Sequence, residues 1–437
     1  MTTLNGTPRL GLVGATLGFF VGFAAVALFG PMAQRLQAGM GLSPVLLGFA
    51  VAAPLLSGSL LRIPFSAWVD TIGGRKPFLV LLSLSTLGMA GLLLMFKETS
   101  GALSAGCYPL LLVLGVLCGC GIATFSVGIG QVSYWFPQAK QGFALGTYAG
   151  LGNLAPGIFA FLVPLALAAW GLSGAYWAWL TFLLAGMLAY ALLGRDAWYF
   201  QLRQHRVRDS EARRMAREEG QEIFPTGTAR DGLFLAAKRW RTWSLVGLYF
   251  ATFGGFLALT TWLPVYWITY FKVTPAAAGF LTALFSIGAC LSRVAGGFCA
   301  DRLDGERTAL LALFATLVGS LLMSFSASFR LSVAAELLMA IGMGVNNAAV
   351  FKMVPTYLPE AVGGASGWVG GLGAFGGFVL PPTMGFIVEL RGPAGYASSF
   401  LLFAALAVIC LLLAAVLKAS APVSVSAEIE QKKVRVA

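Results

Sequence analysis

The sequence predicts an all-α membrane protein, with twelve transmembrane helices arranged as two pseudo-symmetric halves of six. Three observations carry the prediction. Only 11% of the 437 residues are charged and the mean hydropathy is +0.83, whereas soluble domains average about 25% charged. Apolar runs of about 20 residues, long enough to cross a bilayer core, recur along nearly the whole chain. One unusual arrangement also occurs twice: Arg62 in an apolar run with Asp70 eight residues on, and Arg293 in another with Asp301 eight residues on, the copies offset by 231.

Taken in order, the apolar stretches place spans at 11–33, 43–68, 77–97, 107–134, 141–165 and 175–195. A second set follows at 243–268, 277–300, 307–326, 331–354, 363–388 and 396–417. The first run has no clear small-residue cleavage site behind it and is read as a retained span. The halves therefore run over 1–195 and 243–419, joined by a hydrophilic connector at 196–242. That connector mixes Arg203, Arg206, Arg208, Arg213, Arg214 and Arg217 with Glu211, Glu218 and Glu219, the pattern of a solvated, partly amphipathic segment. Residues 420–437 read as a disordered tail.

The net charge of +12 raises the question of a nucleic-acid partner. Its distribution excludes one, because most lysines and arginines fall on one side of the predicted bilayer. That bias puts both termini in the cytoplasm and the chain in the cytoplasmic membrane. Six cysteines lie in or beside apolar runs and read as small packing residues. The single histidine, His205, sits in the charged connector. With no nucleophile or metal cluster near it, the sequence offers no enzyme, metal or cofactor site.

The repeated arginines carry the chemistry. An arginine at the centre of a membrane helix costs about 2.5–3.5 kcal/mol on insertion scales. Asp70 and Asp301 mark the cytoplasmic ends of their spans, and eight helical residues put each arginine about 12 Å deeper. That is close to the middle of a core about 30 Å thick. The acids placed inside spans, Glu336 and Glu389, fall toward outer ends, so neither arginine has an acid partner at its depth. Two permanent cations facing one cavity call for an anion, and the flat guanidinium fork suits a planar oxyanion. The loops Asp70-Thr71-Ile72-Gly73-Gly74-Arg75-Lys76 and Asp301-Arg302 close each repeat and read as gating loops between helix ends.

Two glycine-dense runs form the second constellation. The fifth span reads Gly146-Thr147-Tyr148-Ala149-Gly150-Leu151-Gly152-Asn153, and the eleventh carries Gly367, Gly370, Gly371, Gly373, Gly376 and Gly377. Small residues let membrane helices approach closely. Asn153 stands apart, since a buried amide needs partners and could donate to a bound anion.

These residues resemble the nitrate/nitrite porters, a branch of the major facilitator superfamily. Ala149-Gly150-Leu151-Gly152-Asn153 is similar to the family's first nitrate signature, and Gly367 to Gly377, with Gly371 at its centre, to the second. The loop after the second span resembles the superfamily's loop between helices 2 and 3, with Ser66 where glycine is usual. The resemblance implies that Arg62 and Arg293 bind the substrate and that Tyr249 donates to it. It also implies that Phe125 and Phe253 pack on its two faces. The first helix should add an aromatic, from among Phe19, Phe20 and Phe23. Ala149 and Ala155 depart from glycines found in some members. The implied activity is transport of nitrate and nitrite by a monomeric unit in the lipid bilayer.

Two coupling modes follow. An empty site of charge +2 should resist closing, which argues for exchange of nitrate against nitrite. Resemblance of the stretch 346–355 to proton-coupled members tilts the expectation to symport, with Lys352 and Glu336 as the titratable candidates and protons as a further partner. Rival classes are an efflux carrier of the same fold, an anion channel and a non-transporting sensor.

Overall fold

The structure is a computed structural model and describes residues 4–98, 103–137, 140–225, 229–358 and 361–420. The expected tail beyond 420 and Pro359 of the eleventh-span repeat lie outside the described residues. Among the described residues, eleven helical segments are long and apolar enough to cross a membrane. One of them, Phe143–Leu193, has 51 residues, about twice what a bilayer requires. Its helix breaks at Gly171, with φ +65° and ψ −174°, a left-handed position suited to glycine. Beyond that turn the chain folds back, so that Phe159 packs against Trp179 and Phe182 at ring distances of 4.9 and 5.0 Å. The segment is therefore two spans, and the total is twelve.

Four spans bend where the sequence weakens them. The second runs Pro44–Leu60, turns at Leu61 and resumes as Arg62–Ile72. The fifth breaks after Gln141–Gly152, at Asn153 and Leu154, and the eleventh after Val362–Ala374, at Phe375. Both breaks close a glycine run, where helix propensity is lowest. The seventh keeps its helix but widens to a π turn over Phe250–Gly254. Such turns often sit at functional sites.

The repeat extends to the loops. Gly73 and Asp304 stand at equivalent positions and adopt nearly the same left-handed backbone, with φ +88° and +85°. Asp304 offsets its steric cost by capping the ninth span, where its Oδ1 accepts from the Arg307 N–H at 2.7 Å.

The two halves touch closely at the end of the bundle opposite the connector. Gly48 faces Pro382 Cα at 2.6 Å from a notional Cβ, Gly30 faces the Thr261 carbonyl at 2.7 Å, and Gly385 abuts Pro44. Ala160 and Gly279 meet across the fifth and eighth spans at 2.5 Å. The two halves are thus tightly packed at the far end. Near the level of Arg62, a Cβ added at Gly150 or Gly370 would meet nothing within 4 Å.

The connector is more structured than its composition suggests. It contains three helices, Trp198–Gln204, Asp209–Glu218 and Ala229–Ala237. The third lies on the eleventh span, with Gly232 against Gly364 and the Trp368 indole donating to the Leu233 carbonyl at 2.9 Å. Its residues Leu233 and the buried Ala236 supply a packing face that charge counting overlooks. Residues 226–228 lie outside the described set.

Candidate functional site

Arg62 opens the lower half of the second span and is fully buried. No acid pairs with it among the described residues. Its Nε donates to the Gly58 carbonyl at 2.9 Å, one turn back on its own span. Its Nη1 donates to the Gly370 carbonyl at 3.2 Å, across the interface between the halves. Its Nη2 is buried with no partner. A buried charge needs its donors satisfied, so the free corner of the fork is the group that a ligand would complete.

Aromatic rings hold the rest of the guanidinium. Its central carbon stands 4.8 Å from the Phe125 centroid and 5.2 Å from that of Phe253, within the range of cation–π attraction. The two rings are stacked at 6.1 Å with 27° between their planes. A planar ion between parallel faces needs about 7 Å, two carbon contact distances. In this conformation Phe125 and Phe253 therefore clasp Arg62 at their rim instead of leaving a slot between them. The expected sandwich forms only if the rings part by about 1 Å.

Arg293 approaches the same phenylalanine from the other half. Its guanidinium carbon lies 5.8 Å from Phe253 and 5.8 Å from Phe351. Its Nη1 donates to the Tyr249 hydroxyl at 3.4 Å. Tyr249 is fully buried and stacks on Phe253 at 4.7 Å. A single ring thus joins both arginines and the tyrosine. The π turn sets this up, since Tyr249 precedes it and Phe253 lies within it.

The glycines act as clearances for these rings. Gly152 lies directly against the Phe19 ring, and Gly373 faces Tyr249 Cδ1 at 2.7 Å. Gly371 meets Ile63 at 2.6 Å, beside Arg62, whereas Gly150 faces open space. Phe19 is the first-helix aromatic at the site, 5.2 Å from Phe125, while Phe20 turns to Phe182 and Phe23 packs behind Phe19.

Asn153 makes one local bond. Its Nδ2 donates to the Ala149 carbonyl at 2.7 Å, on its own helix, and its Oδ1 is buried without a partner. The residue still lines a cavity with Phe253, Phe256, Cys290, Arg293 and Asn347. One amide hydrogen thus remains for a ligand while the other closes the helix end.

Three contributors escaped the sequence reading. Phe351 meets Tyr249 edge-on at 5.1 Å. Thr252, inside the π turn, accepts from Asn346 at 2.9 Å and lies 2.8 Å from Asn347 Oδ1. Two adjacent asparagines in an apolar span were the available signal. The Gly370 carbonyl had none, because a backbone acceptor leaves no trace in residue type.

The residues expected in gating loops bond within their own halves. Asp70 accepts from the Tyr134 hydroxyl at 2.7 Å, and Arg75 donates to the Ala191 carbonyl at 2.8 Å. Asp301 pairs with Lys352, both well exposed, at the connector end; Arg302 is exposed beside it. Glu336 lies at the opposite end, buried. Asp196, just past the sixth span, binds the Arg75 N–H at 2.8 Å and Gln204 at 2.9 Å. Burial pushes its carboxyl up from the ordinary range, and those hydrogen bonds pull the other way.

Twelve spans in two repeated halves around a buried, arginine-bearing aromatic cluster define a membrane transporter. Residues 15–274 and 266–436 match the Major Facilitator Superfamily. A probable nitrate/nitrite antiporter, NarK1, of Thermus thermophilus is 32% identical over 406 residues, covering 86% of this chain and 85% of that relative. A probable nitrate/nitrite transporter, NarK2, of Mycobacterium tuberculosis is 30% identical, covering 86% and 88%. Among solved structures, the xylose transporter XylE of E. coli superposes with a TM-score of 0.71 at 14% identity, covering 96% of this chain and 98% of its own. The chain belongs to the Major Facilitator Superfamily and, within it, to the NarK-type nitrate/nitrite porters.

Proposed function

We propose that the protein carries nitrate, and nitrite, across the cytoplasmic membrane by alternating access, with both termini in the cytoplasm. The observation that carries the reading is the unpaired Nη2 of Arg62, fully buried beside a second arginine, with no acid paired to it among the described residues. A small planar anion supplies the missing charge and accepts from the free fork, from Tyr249 and from the Asn153 amide. Two of the relatives are named for nitrate and nitrite together. On this topology the tightly packed end faces outward. Aromatic walls suit nitrate, which is flat and weakly hydrated, better than a tetrahedral dianion.

For coupling we favour proton symport, in keeping with the resemblance at 346–355. Exchange of nitrate for nitrite is the second reading. It is supported by the lack of a titratable acid at the arginines and by the word antiporter in the name of one relative. Reconstitution into liposomes decides both levels. Nitrate uptake competed by nitrite and not by sulfate is expected. A pH gradient should drive accumulation into vesicles lacking internal anion. An absolute requirement for internal nitrite would replace symport by exchange, and failure to move either anion would end the transport reading.

A further inference from the structure

One buried acid plays no part in the anion site. Glu336 lies on the tenth span, Phe329–Tyr357, and is 2% exposed. Neither of its carboxyl oxygens has a hydrogen-bond partner. Its polar neighbours are equally unfilled. Trp267 Nε1, the Tyr266 hydroxyl and the Ser332 hydroxyl are all buried without partners. The Trp267 indole is the donor nearest the carboxyl and Tyr266 the one nearest Ser332, so the polar atoms converge here without reaching full hydrogen-bond geometry. Interiors pair the great majority of such atoms. A group of unpaired ones around a single carboxyl marks a place built for more than packing.

Among the described residues the surroundings offer no counter-charge. The facing titratable groups are phenols, Tyr266 and Tyr270 on the seventh span. The stretches 275–288, 308–325 and 401–417 of the eighth, ninth and twelfth spans hold no Asp, Glu, Lys, Arg or His. Lys272 and Arg330, the nearest cations along the two chain segments, are exposed at the surface. An ionised carboxylate sealed here would lose its hydration and gain no partner, which native interiors avoid.

The seal is the far half of the seventh span. Trp267 packs edge-on to Phe329 at 5.5 Å, and Tyr266 edge-on to Phe400 at 5.0 Å. The same span carries Tyr249 and Phe253 at its π turn and meets the first span at Gly30 and Thr261. The helix that covers Glu336 is thus the one that closes the far end of the bundle and walls the anion site.

We infer that Glu336 is a proton-binding site that must be loaded before the far half of the seventh span can close over it. The step is a simple transfer: the open, hydrated carboxylate takes a proton from external hydronium, leaves water, and becomes the neutral carboxyl that the sealed state holds. Closure around the anion is then limited by the protonated fraction, which changes tenfold per pH unit while most copies are ionised. The inference rests on the proposed transport and orientation for its assay, and holds under symport and exchange alike.

The test is nitrate–nitrite exchange in liposomes with the same pH on both sides, from pH 5.5 to 8. The wild-type rate should fall as pH rises, by up to about tenfold per unit. Glu336→Gln, a neutral mimic, should give a flat profile and exceed the wild type at pH 8, while Glu336→Asp should restore the slope. A wild-type slope retained in Glu336→Gln overturns the proposal, as does a flat wild-type profile whatever the variants do. An inactive Glu336→Gln that still binds nitrate in detergent also overturns it, because a neutral side chain should close. If Glu336→Gln does not fold, Glu336→Asp decides, and a flat profile there overturns the proposal. If the wild type moves neither anion, the transport reading fails on its own. Labelling of Glu336 by a hydrophobic carbodiimide, which attacks protonated carboxyls, then tests the site: labelling that falls as pH rises supports it, and labelling that is absent or independent of pH overturns it.

Discussion

Arg62→Lys keeps one positive charge at the site and removes the fork. In the structure Nε and Nη1 hold the Gly58 and Gly370 carbonyls at 2.9 and 3.2 Å, and Nη2 stays free. A lysine ammonium is one point with three donors. It cannot satisfy two carbonyls from opposite sides and still present a planar pair to an anion. At least one charge-assisted hydrogen bond is lost, worth about 1.5–3 kcal/mol. At about 1.4 kcal/mol per decade, nitrate affinity should fall by about 10- to 150-fold. Transport should be abolished, since the Gly370 bond also ties the two halves. Isothermal titration of nitrate in detergent reads the affinity, liposome uptake reads the flux, and a thermal melt checks folding. A folded Arg62→Lys protein with wild-type affinity and flux would refute the reasoning, because charge alone would then suffice.

Further substitutions probe the supports of the site. Gly152→Val drives a side chain into the Phe19 ring; overpacking should cost about 1–3 kcal/mol, seen as a lowered melting temperature together with weaker nitrate binding as Phe19 is pushed onto Phe125. Thr252→Val keeps the shape and strands the Asn346 and Asn347 amides, so denaturant unfolding should show a loss of about 1–3 kcal/mol. Lys352→Met removes an exposed pair and should change stability by less than about 1 kcal/mol, with pH-driven uptake preserved; loss of that uptake would return Lys352 to the coupling step. In the connector, hydrogen bonds from Tyr199 and Arg213 hold the Asp209 carboxyl below its ordinary range. Its stabilisation is therefore present above that range and lost as pH falls through it. Asp209→Asn should cost no more than about 0.5 kcal/mol at pH 7, given its exposure, and melts between pH 7 and 3 should show the difference vanish in acid.

Residue type and spacing made much of this legible. The span count followed from run length, and the repeat at 231 pointed to both arginines before any contact was known. The glycine runs were legible as close packing, but not which ring each one clears: Gly152 for Phe19 and Gly373 for Tyr249 are pairings between distant spans. Asn153 was legible as a buried amide. That it spends one hydrogen on Ala149 depends on a helix ending there, a local break that the asparagine itself does not announce.

Composition and run length alone point to twelve membrane spans in two related halves, each carrying an arginine inside an apolar run. Those are consequences of composition and periodicity, which act along the chain. Only the tertiary structure decided that Phe253 joins both arginines, that the Gly370 carbonyl takes one arm of Arg62, and that Lys352 is paired while Glu336 is sealed without a partner. The physical reason is that backbone acceptors, ring faces and desolvation belong to the packed bundle, and a residue's cost or use in a membrane depends on what the other spans bring to it.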